Sequence, residues 1–216
     1  MSSLIFYSTD DEIILAMDTL AVAGASGMPL LFTTKFYLVP HLNGVICGTG
    51  SGAFTADWFV QVNTGMMVDD IPHLDYHTPL ALQAMWESSR EKLPKDFTTT
   101  IYHFGLPRDG SPACVYAYRS NRNFVSERLP QGIGVKPFAD VPKSFELPRD
   151  FGPMMVSQRE YQAKEPLDQR VHIGGHVFVC HLTRSGINVY QTDTFPDYDA
   201  QRGVMLAQIA KTRSTQ

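Results

Sequence analysis

The sequence has little charge and no surplus of basic residues. Only 19% of its 216 residues are charged, and the formal net charge is −4 at pH 7. Proteins that bind the phosphate backbone of nucleic acids need an excess of lysine and arginine. We therefore expect no nucleic-acid partner, and the 44% of hydrophobic residues predicts a well-buried globular core.

Cysteine is also scarce. Cys47, Cys114 and Cys180 are three in number, widely spaced and each set in an apolar run. Such a set fits neither a disulfide framework nor a close-spaced zinc or redox motif. We interpret the three as buried thiols in a reducing compartment, and we expect no bound metal and no cofactor.

Long apolar runs are missing as well. No run approaches the roughly 20 residues of a membrane-spanning helix, and the N-terminus has neither the basic flank nor the cleavage site of a signal peptide. These features predict a soluble, cytoplasmic protein with no membrane partner, alone or within a larger particle assembled there. A chain of 216 residues suits one domain, and nothing in 1–216 marks a boundary.

The informative part of the sequence lies near its start. Residues 2–18 consist of two runs rich in Ile, Leu and aromatic residues, separated by the acidic turn 9–12. This pattern predicts a β-hairpin that ends in a buried carboxylate, Asp18. Residues 34–47 repeat the pattern, and the glycine-rich step 48–52 then opens a predicted helix.

This order of parts resembles the proteasome subunits and the bacterial proteasome-like ring proteases, which are N-terminal-nucleophile hydrolases. Their chains begin with a nucleophile, place an aspartate sixteen residues later and carry a lysine on the third strand. Ser2, Asp18 and Lys35 stand at those positions or within one residue of them. The resemblance is best over residues 2–66. It implies an α+β fold, a four-layer αββα sandwich of two mostly antiparallel sheets.

The resemblance also implies a role for each candidate residue. A free α-amine on Ser2, partly neutral at physiological pH, would take the proton of the Ser2 hydroxyl. Asp18 would position Lys35, whose charge would favour ionisation of the hydroxyl and stabilise the oxyanion. The backbone N–H of Gly48 falls where the family has its oxyanion donor.

Three features favour a non-catalytic member of this fold. The sequence begins at Met1, and a Ser2 nitrogen in amide linkage to Met1 is not a base. Leu20 stands where catalytic members carry an arginine, and the serine and aspartate of their second half are not recognisable in residues 130–153. We therefore expect a structural or assembly subunit. The alternative is an N-terminal-serine amide hydrolase formed by removal of Met1.

Assembly is expected on two grounds. Subunits of the resembled family form rings, which implies self-association or incorporation with other protein subunits in a homo- or hetero-oligomer. In addition, Trp58, Trp86 and the pair Met66-Met67 offer more large apolar groups than one helix face usually buries. These residues would then belong to a subunit interface.

Periodicity predicts the remaining elements. The predicted helices are 53–66, one that starts at Thr78-Pro79 and ends near Pro94, a short one over 157–164, and a last one from Asp197 or Asp199 to about Lys211. The predicted strands are a meander of 97–104, 113–119 and 124–129, and a hairpin of 171–182 with 186–192. The five prolines of residues 130–153 predict a long surface loop between them.

Two other motifs point to different sites. The first is a loose dinucleotide-binding fingerprint of Gly48, Gly50 and Ala53 with Asp69 or Asp70 downstream. It needs a parallel βαβ unit, whereas the strand before Gly48 is predicted to be antiparallel. The second is a set of possible metal ligands four residues apart on a predicted strand: His172, His176 and Cys180. That spacing separates neighbouring ligands by roughly 13 Å, too far for one ion, so we interpret both motifs as structural.

Overall fold

The computed structural model describes residues 2–90, 93–94 and 97–213. Within them the chain forms twelve strands and four α-helices. The strands are β1 (Leu4–Ser8), β2 (Glu12–Asp18), β3 (Leu20–Ala23), β4 (Met28–Phe32), β5 (Phe36–Val39), β6 (Gly44–Thr49), β7 (Thr100–Gly105), β8 (Cys114–Arg119), β9 (Ser126–Arg128), β10 (Gly132–Lys136), β11 (His176–Thr183) and β12 (Gly186–Thr194). The helices are α1 (Gly52–Gly65), α2 (Ile71–Ser89), α3 (Phe151–Gln162) and α4 (Tyr198–Arg213). In this described part of the chain, no helix has the length and apolar character needed to cross a membrane.

The strands form two five-stranded sheets and one separate hairpin. Sheet I has the order β10-β1-β2-β11-β12, sheet II has the order β5-β6-β7-β8-β9, and β3 pairs with β4. Helices α1 and α2 pack on the outer face of sheet II, and α3 packs on the outer face of sheet I. Helix α4 lies beside β4. The predicted four-layer αββα sandwich of the α+β class is therefore confirmed.

Sheet I is covered on both faces, and this explains the unbroken apolar run of β2. Ile13 and Leu15 belong to the core between the two sheets, whereas Ile14 and Ala16 face the layer that contains α3. Because side chains alternate along a strand, a strand covered on both faces is apolar at every position. Strand β1 pairs antiparallel with β2, so the hairpin predicted over residues 2–18 is confirmed.

Helix α1 confirms the helix predicted over residues 53–66. Ser51 caps it, because its hydroxyl oxygen accepts a hydrogen bond from the N–H of Phe54 at 3.1 Å. Phe54, Trp58 and Val62 are buried against sheet II, as their fourfold spacing predicts. The core of the outer layer therefore begins directly after the glycine-rich step.

The two tryptophans do not form the surface that the sequence suggested for assembly. Trp58 is fully buried, and Trp86 packs edge-on against Phe54 with the ring centroids 5.3 Å apart. Met66 packs against the same core, whereas Met67 is 97% exposed. The core uses most of these groups, so they do not by themselves require an oligomer.

Trp58 holds a buried histidine in one protonation state. Its indole Nε1–H donates to Nε2 of His103 at 2.8 Å, and the His103 side chain is fully buried. Burial lowers the pKa of His103 to about 3. In the unfolded chain this histidine takes up a proton at ordinary histidine pH, so folding stability falls as the pH drops below about 6.5.

We expect this histidine to make a measurable contribution to acid sensitivity. Between pH 7 and pH 4.5 the parent should lose about 2 to 3 kcal/mol more unfolding free energy than His103→Gln, which keeps an acceptor but does not titrate. Urea unfolding at the two pH values measures this difference. Equal pH dependence in the two proteins would show that His103 is not held neutral.

The second helix begins earlier than the sequence predicted. Asp70 is its N-cap, and its carboxylate accepts a hydrogen bond from the N–H of His73 at 2.9 Å. Pro72 occupies the first turn, where a missing N–H leaves no helix bond unmade. The predicted start at Thr78-Pro79 is wrong: both residues lie inside the helix, and the Thr78 hydroxyl donates to the carbonyl oxygen of Leu74 at 2.7 Å.

The predicted surface loop over residues 130–153 is also wrong in part. Its first half contains β10, which pairs with β1 as an edge strand of sheet I. Gly134 allows the Phe6 ring to lie against this strand, since a Cβ on Gly134 would come within 2.2 Å of the ring. Helix α3 starts at Phe151, well before the predicted 157, and Pro153 is accommodated in its first turn.

Smaller differences occur elsewhere. The hairpin β3–β4 was not predicted. The last meander strand is shortened to Ser126–Arg128, because Asn123 and Phe124 adopt left-handed φ angles of 52° and 53° that do not fit a strand. Strand β11 begins at His176, not at Val171. The predicted final helix agrees with α4, and the end of the second predicted helix falls partly outside the described residues.

Candidate functional site

The centre of the site is a buried ion pair between the end of β2 and the residue before β5. Lys35 Nζ lies 2.8 Å from Oδ1 of Asp18, and the side chains are 9% and 0% exposed. Nζ also donates to the carbonyl oxygen of Leu20 at 2.7 Å. Burial lowers the pKa of Lys35, and the Asp18 carboxylate offsets part of that effect. The predicted pairing of Asp18 with Lys35 is confirmed.

Asp18 also ties three parts of the chain together. Its Oδ1 accepts a hydrogen bond from the N–H of Ser3 at 2.9 Å, and its Oδ2 accepts one from the N–H of Gly174 at 3.1 Å. A buried carboxylate needs such partners to offset the loss of hydration. Asp18 therefore holds three segments together: the residues before β1, the residue before β5 and the loop before β11.

A cavity of about 390 Å³ opens beside this pair. Ser2, Lys35 and Gly48 all line it, so the structure brings three of the four predicted site residues to one cavity, with Asp18 directly behind Lys35. The remaining lining residues come from the hairpin β3–β4, the segment that follows it, β5, the glycine-rich step and the start of α1: Leu20, Ala21, Val22, Leu31, Thr33, Thr34, Tyr37, Gly50, Gly52, Ala53, Thr55 and Ala56.

Gly48 is required by a close approach of α1. A Cβ built on Gly48 would lie 2.1 Å from Oγ1 of Thr55, so any larger residue would push the helix away from the cavity wall. The pairing of β5 with β6 ends at Phe36 opposite Cys47, one residue before Gly48. Gly48 is therefore the first residue of β6 that no longer pairs with β5, although it still pairs with β7.

The dinucleotide-binding interpretation is excluded by topology. Strand β6 is antiparallel to both of its neighbours, β5 and β7. The fingerprint requires a parallel βαβ unit, in which the glycines lie at the turn between a strand and its crossover helix. The glycine-rich step serves instead to bring α1 close to the sheet.

Sequence reasoning missed a contact from the second half of the chain. The hydroxyl of Ser3 donates to Oε1 of Gln158, and Nε2 of Gln158 donates to the carbonyl oxygen of Pro137 at 2.7 Å. Gln158 is fully buried on α3. No local pattern marks it, because its partner Ser3 lies 155 positions away in sequence.

The possible metal ligands in the second half are not one strand set. His172 precedes β11, whereas His176 begins it and Cys180 is buried in its interior. Among the residues that the structure describes, no group of three or more His, Cys, Asp or Glu is arranged to hold a metal ion.

Solved structures of other proteins share the fold of this chain. A mutant of Anbu from Hyphomicrobium sp. strain MC1 superposes with a TM-score of 0.62 at 13% sequence identity, covering 100% of this chain and 97% of that one. Anbu from Yersinia bercovieri, described as an ancestral beta-subunit, gives a TM-score of 0.58 at 11% identity, covering 99% and 97%. The chain has a proteasome-like fold. No protein-family model and no curated protein matches the sequence.

At 11–13% identity the likeness is one of fold alone. Four segments meet at the cavity: the end of β2, the end of β6, the residues before β5 and the residues before β1. The catalytic roles of Ser2, Asp18, Lys35 and Gly48 stay predictions.

Proposed function

We propose that this protein is a proteasome-like subunit that hydrolyses amide bonds with Ser2 as the nucleophile, once the peptide bond before Ser2 has been cleaved. The observation that supports this proposal best is the convergence of Ser2, Lys35 and Gly48 on one cavity, with Asp18 buried against Lys35. Lys35 lines this cavity while its charge is paired with the buried Asp18 carboxylate, so the same lysine that stabilises the fold also lies where the reaction needs a positive charge.

The proposed reaction uses the N-terminal residue twice. The neutral α-amine of Ser2 takes the hydroxyl proton while Oγ attacks the carbonyl carbon of the substrate. Lys35, held by Asp18, favours the ionised hydroxyl, and the N–H of Gly48 donates to the oxyanion. The protonated amine then gives its proton to the leaving nitrogen, the C–N bond breaks, and water hydrolyses the resulting ester on Ser2.

The cavity also suggests a class of substrate. Apart from Lys35, whose charge is paired with Asp18, its lining residues are uncharged. A charged substrate side chain placed there would lose hydration without gaining an opposite charge. We therefore expect peptides with an uncharged, mainly apolar side chain next to the bond that is cleaved.

Two forms of the protein test this function. A removable N-terminal tag can leave Ser2 as the first residue, and a companion form can keep one glycine before Ser2. We expect the first form to release a fluorophore from such peptide amides, and the second to be at least about 100-fold slower because it lacks the amine base. Equal rates would contradict the role assigned to the amine.

The second candidate is a non-catalytic subunit of a larger assembly. Two observations favour it: Nζ of Lys35 already donates to Asp18 and Leu20, and the second half of the chain supplies Gln158 to Ser3 instead of a polar set to Ser2. If neither the Ser2-first form nor the form with a glycine before Ser2 hydrolyses the peptide amides, the non-catalytic candidate is favoured. Light scattering at high concentration tests self-association, which either candidate implies, and we expect an oligomer. A monomer would contradict a self-assembled ring and leave assembly with other protein subunits.

A further inference from the structure

Two histidines lie one helical turn apart on the exposed side of α2. His73 and His77 are at positions i and i+4, and their ring centroids are 5.6 Å apart. Two metal–nitrogen bonds of about 2.1 Å at a tetrahedral angle would place the ring centres about 5 Å apart. We propose that His73 and His77 chelate one divalent ion of the nitrogen-preferring class, such as Cu²⁺ or Zn²⁺, after a small change of side-chain rotamer.

The carboxylate of Asp69 lies beside the ring of His73, where it can orient that ring as a metal ligand. Its Oδ2 lies 3.5 Å from Nδ1 of His73, and its carboxylate is 89% exposed, free to approach more closely. A ligating histidine commonly donates its second ring N–H to a carboxylate, which fixes the tautomer and strengthens the ligand. In this conformation the backbone N–H of Asp69 donates to Nδ1 of His73 at 3.3 Å, so Nδ1 accepts a hydrogen bond. Binding of the ion through Nε2 requires the other tautomer, in which Nδ1–H donates to the Asp69 carboxylate in place of this contact.

The surroundings of His77 leave room for the rest of the coordination shell. His77 lines an open cavity of about 710 Å³ together with Met66, Met67 and Tyr76. The two histidines supply two ligands, so water fills the other positions. Imidazole ligands in an open shell follow the Irving–Williams order, so Cu²⁺ should bind more tightly than Zn²⁺. Neither histidine lines the Ser2 cavity, and the site does not depend on the proposed hydrolase activity.

Titration calorimetry of the untagged protein with ZnCl₂ and with CuCl₂ tests the site. We expect one ion per chain, and we expect His73→Ala and His77→Ala each to weaken binding at least tenfold. Asp69→Asn should weaken it by about tenfold while keeping the stoichiometry. His41→Ala, which removes another exposed histidine, is the matched control and should leave the affinity unchanged.

Electron paramagnetic resonance of the Cu²⁺ form gives a second readout. The parent should show nitrogen hyperfine coupling from two imidazoles, and either single variant should lose one of them. The inference is overturned if no ion binds, or if both histidine variants bind as the parent does. Circular dichroism checks that α2 is intact in each variant.

Discussion

Ser2→Ala is expected to reduce amide hydrolysis by the Ser2-first protein at least about 1,000-fold and to leave its unfolding free energy unchanged. In the proposed reaction, the hydroxyl oxygen of Ser2 is the protein atom that forms a covalent bond with the substrate. Ser2 precedes β1 and is only half-buried, so removing the hydroxyl leaves the packing of the strand intact. Hydrolysis of the peptide amides and urea unfolding are the two measurements.

Ser3→Ala provides the matched comparison. Ser3 is fully buried, and its hydroxyl donates to Gln158. Its loss leaves a buried acceptor with one bond fewer, which should cost about 1 to 3 kcal/mol of unfolding free energy. The neighbouring serines therefore have opposite expected effects, one on rate and one on stability. A loss of stability in Ser2→Ala, or a residual rate near that of the parent, would contradict the assignment.

Lys35→Met is expected to lower the unfolding free energy by about 3 to 5 kcal/mol and to abolish hydrolysis. It leaves the fully buried Asp18 carboxylate without its counter-charge, and the N–H groups of Ser3 and Gly174 alone cannot compensate. Urea unfolding measures the loss. Lys143→Met, which removes an exposed lysine, is the control and should change stability by no more than about 0.5 kcal/mol.

The double variant Asp18→Asn with Lys35→Met separates a charge effect from a packing effect. With both charges gone, no isolated ion is buried. The asparagine amide oxygen would still accept from one of the two backbone N–H groups, those of Ser3 and Gly174, whereas its NH2 group would face the other. The double variant should therefore be more stable than the sum of the two single changes predicts. If the losses of unfolding free energy in the two single variants add up to the loss in the double variant, the interaction between Asp18 and Lys35 does not stabilise the fold. An unchanged unfolding free energy in Lys35→Met would show the same.

The sequence predicts those parts of the fold that carry a marked apolar pattern, either a continuous apolar run or a helical spacing. The apolar run of β2 and the fourfold spacing of Phe54, Trp58 and Val62 both follow from layers that the structure contains. The pairing of Asp18 with Lys35 was also predictable, because it follows from the positions of two residues in a recognised order of strands.

Other parts carry no such signal. Strand β4 exposes Leu30 and Leu31, so the alternation that would indicate a strand is missing. Strand β10 is rich in glycine and gains its structure from pairing with β1, a partner far away in sequence. The contact of Gln158 with Ser3 depends on the same long-range packing, and local propensity does not encode it.

The most direct test of the central claim is the intact mass of the Ser2-first protein after treatment with a peptide epoxyketone. This reagent closes a ring with the hydroxyl and the α-amine of one N-terminal residue, so it reports both groups at once. The account predicts one adduct per chain, mapped to Ser2 by fragmentation and absent from Ser2→Ala and from the form with a glycine before Ser2. An unmodified mass for the Ser2-first protein, or an adduct on another residue, would contradict it.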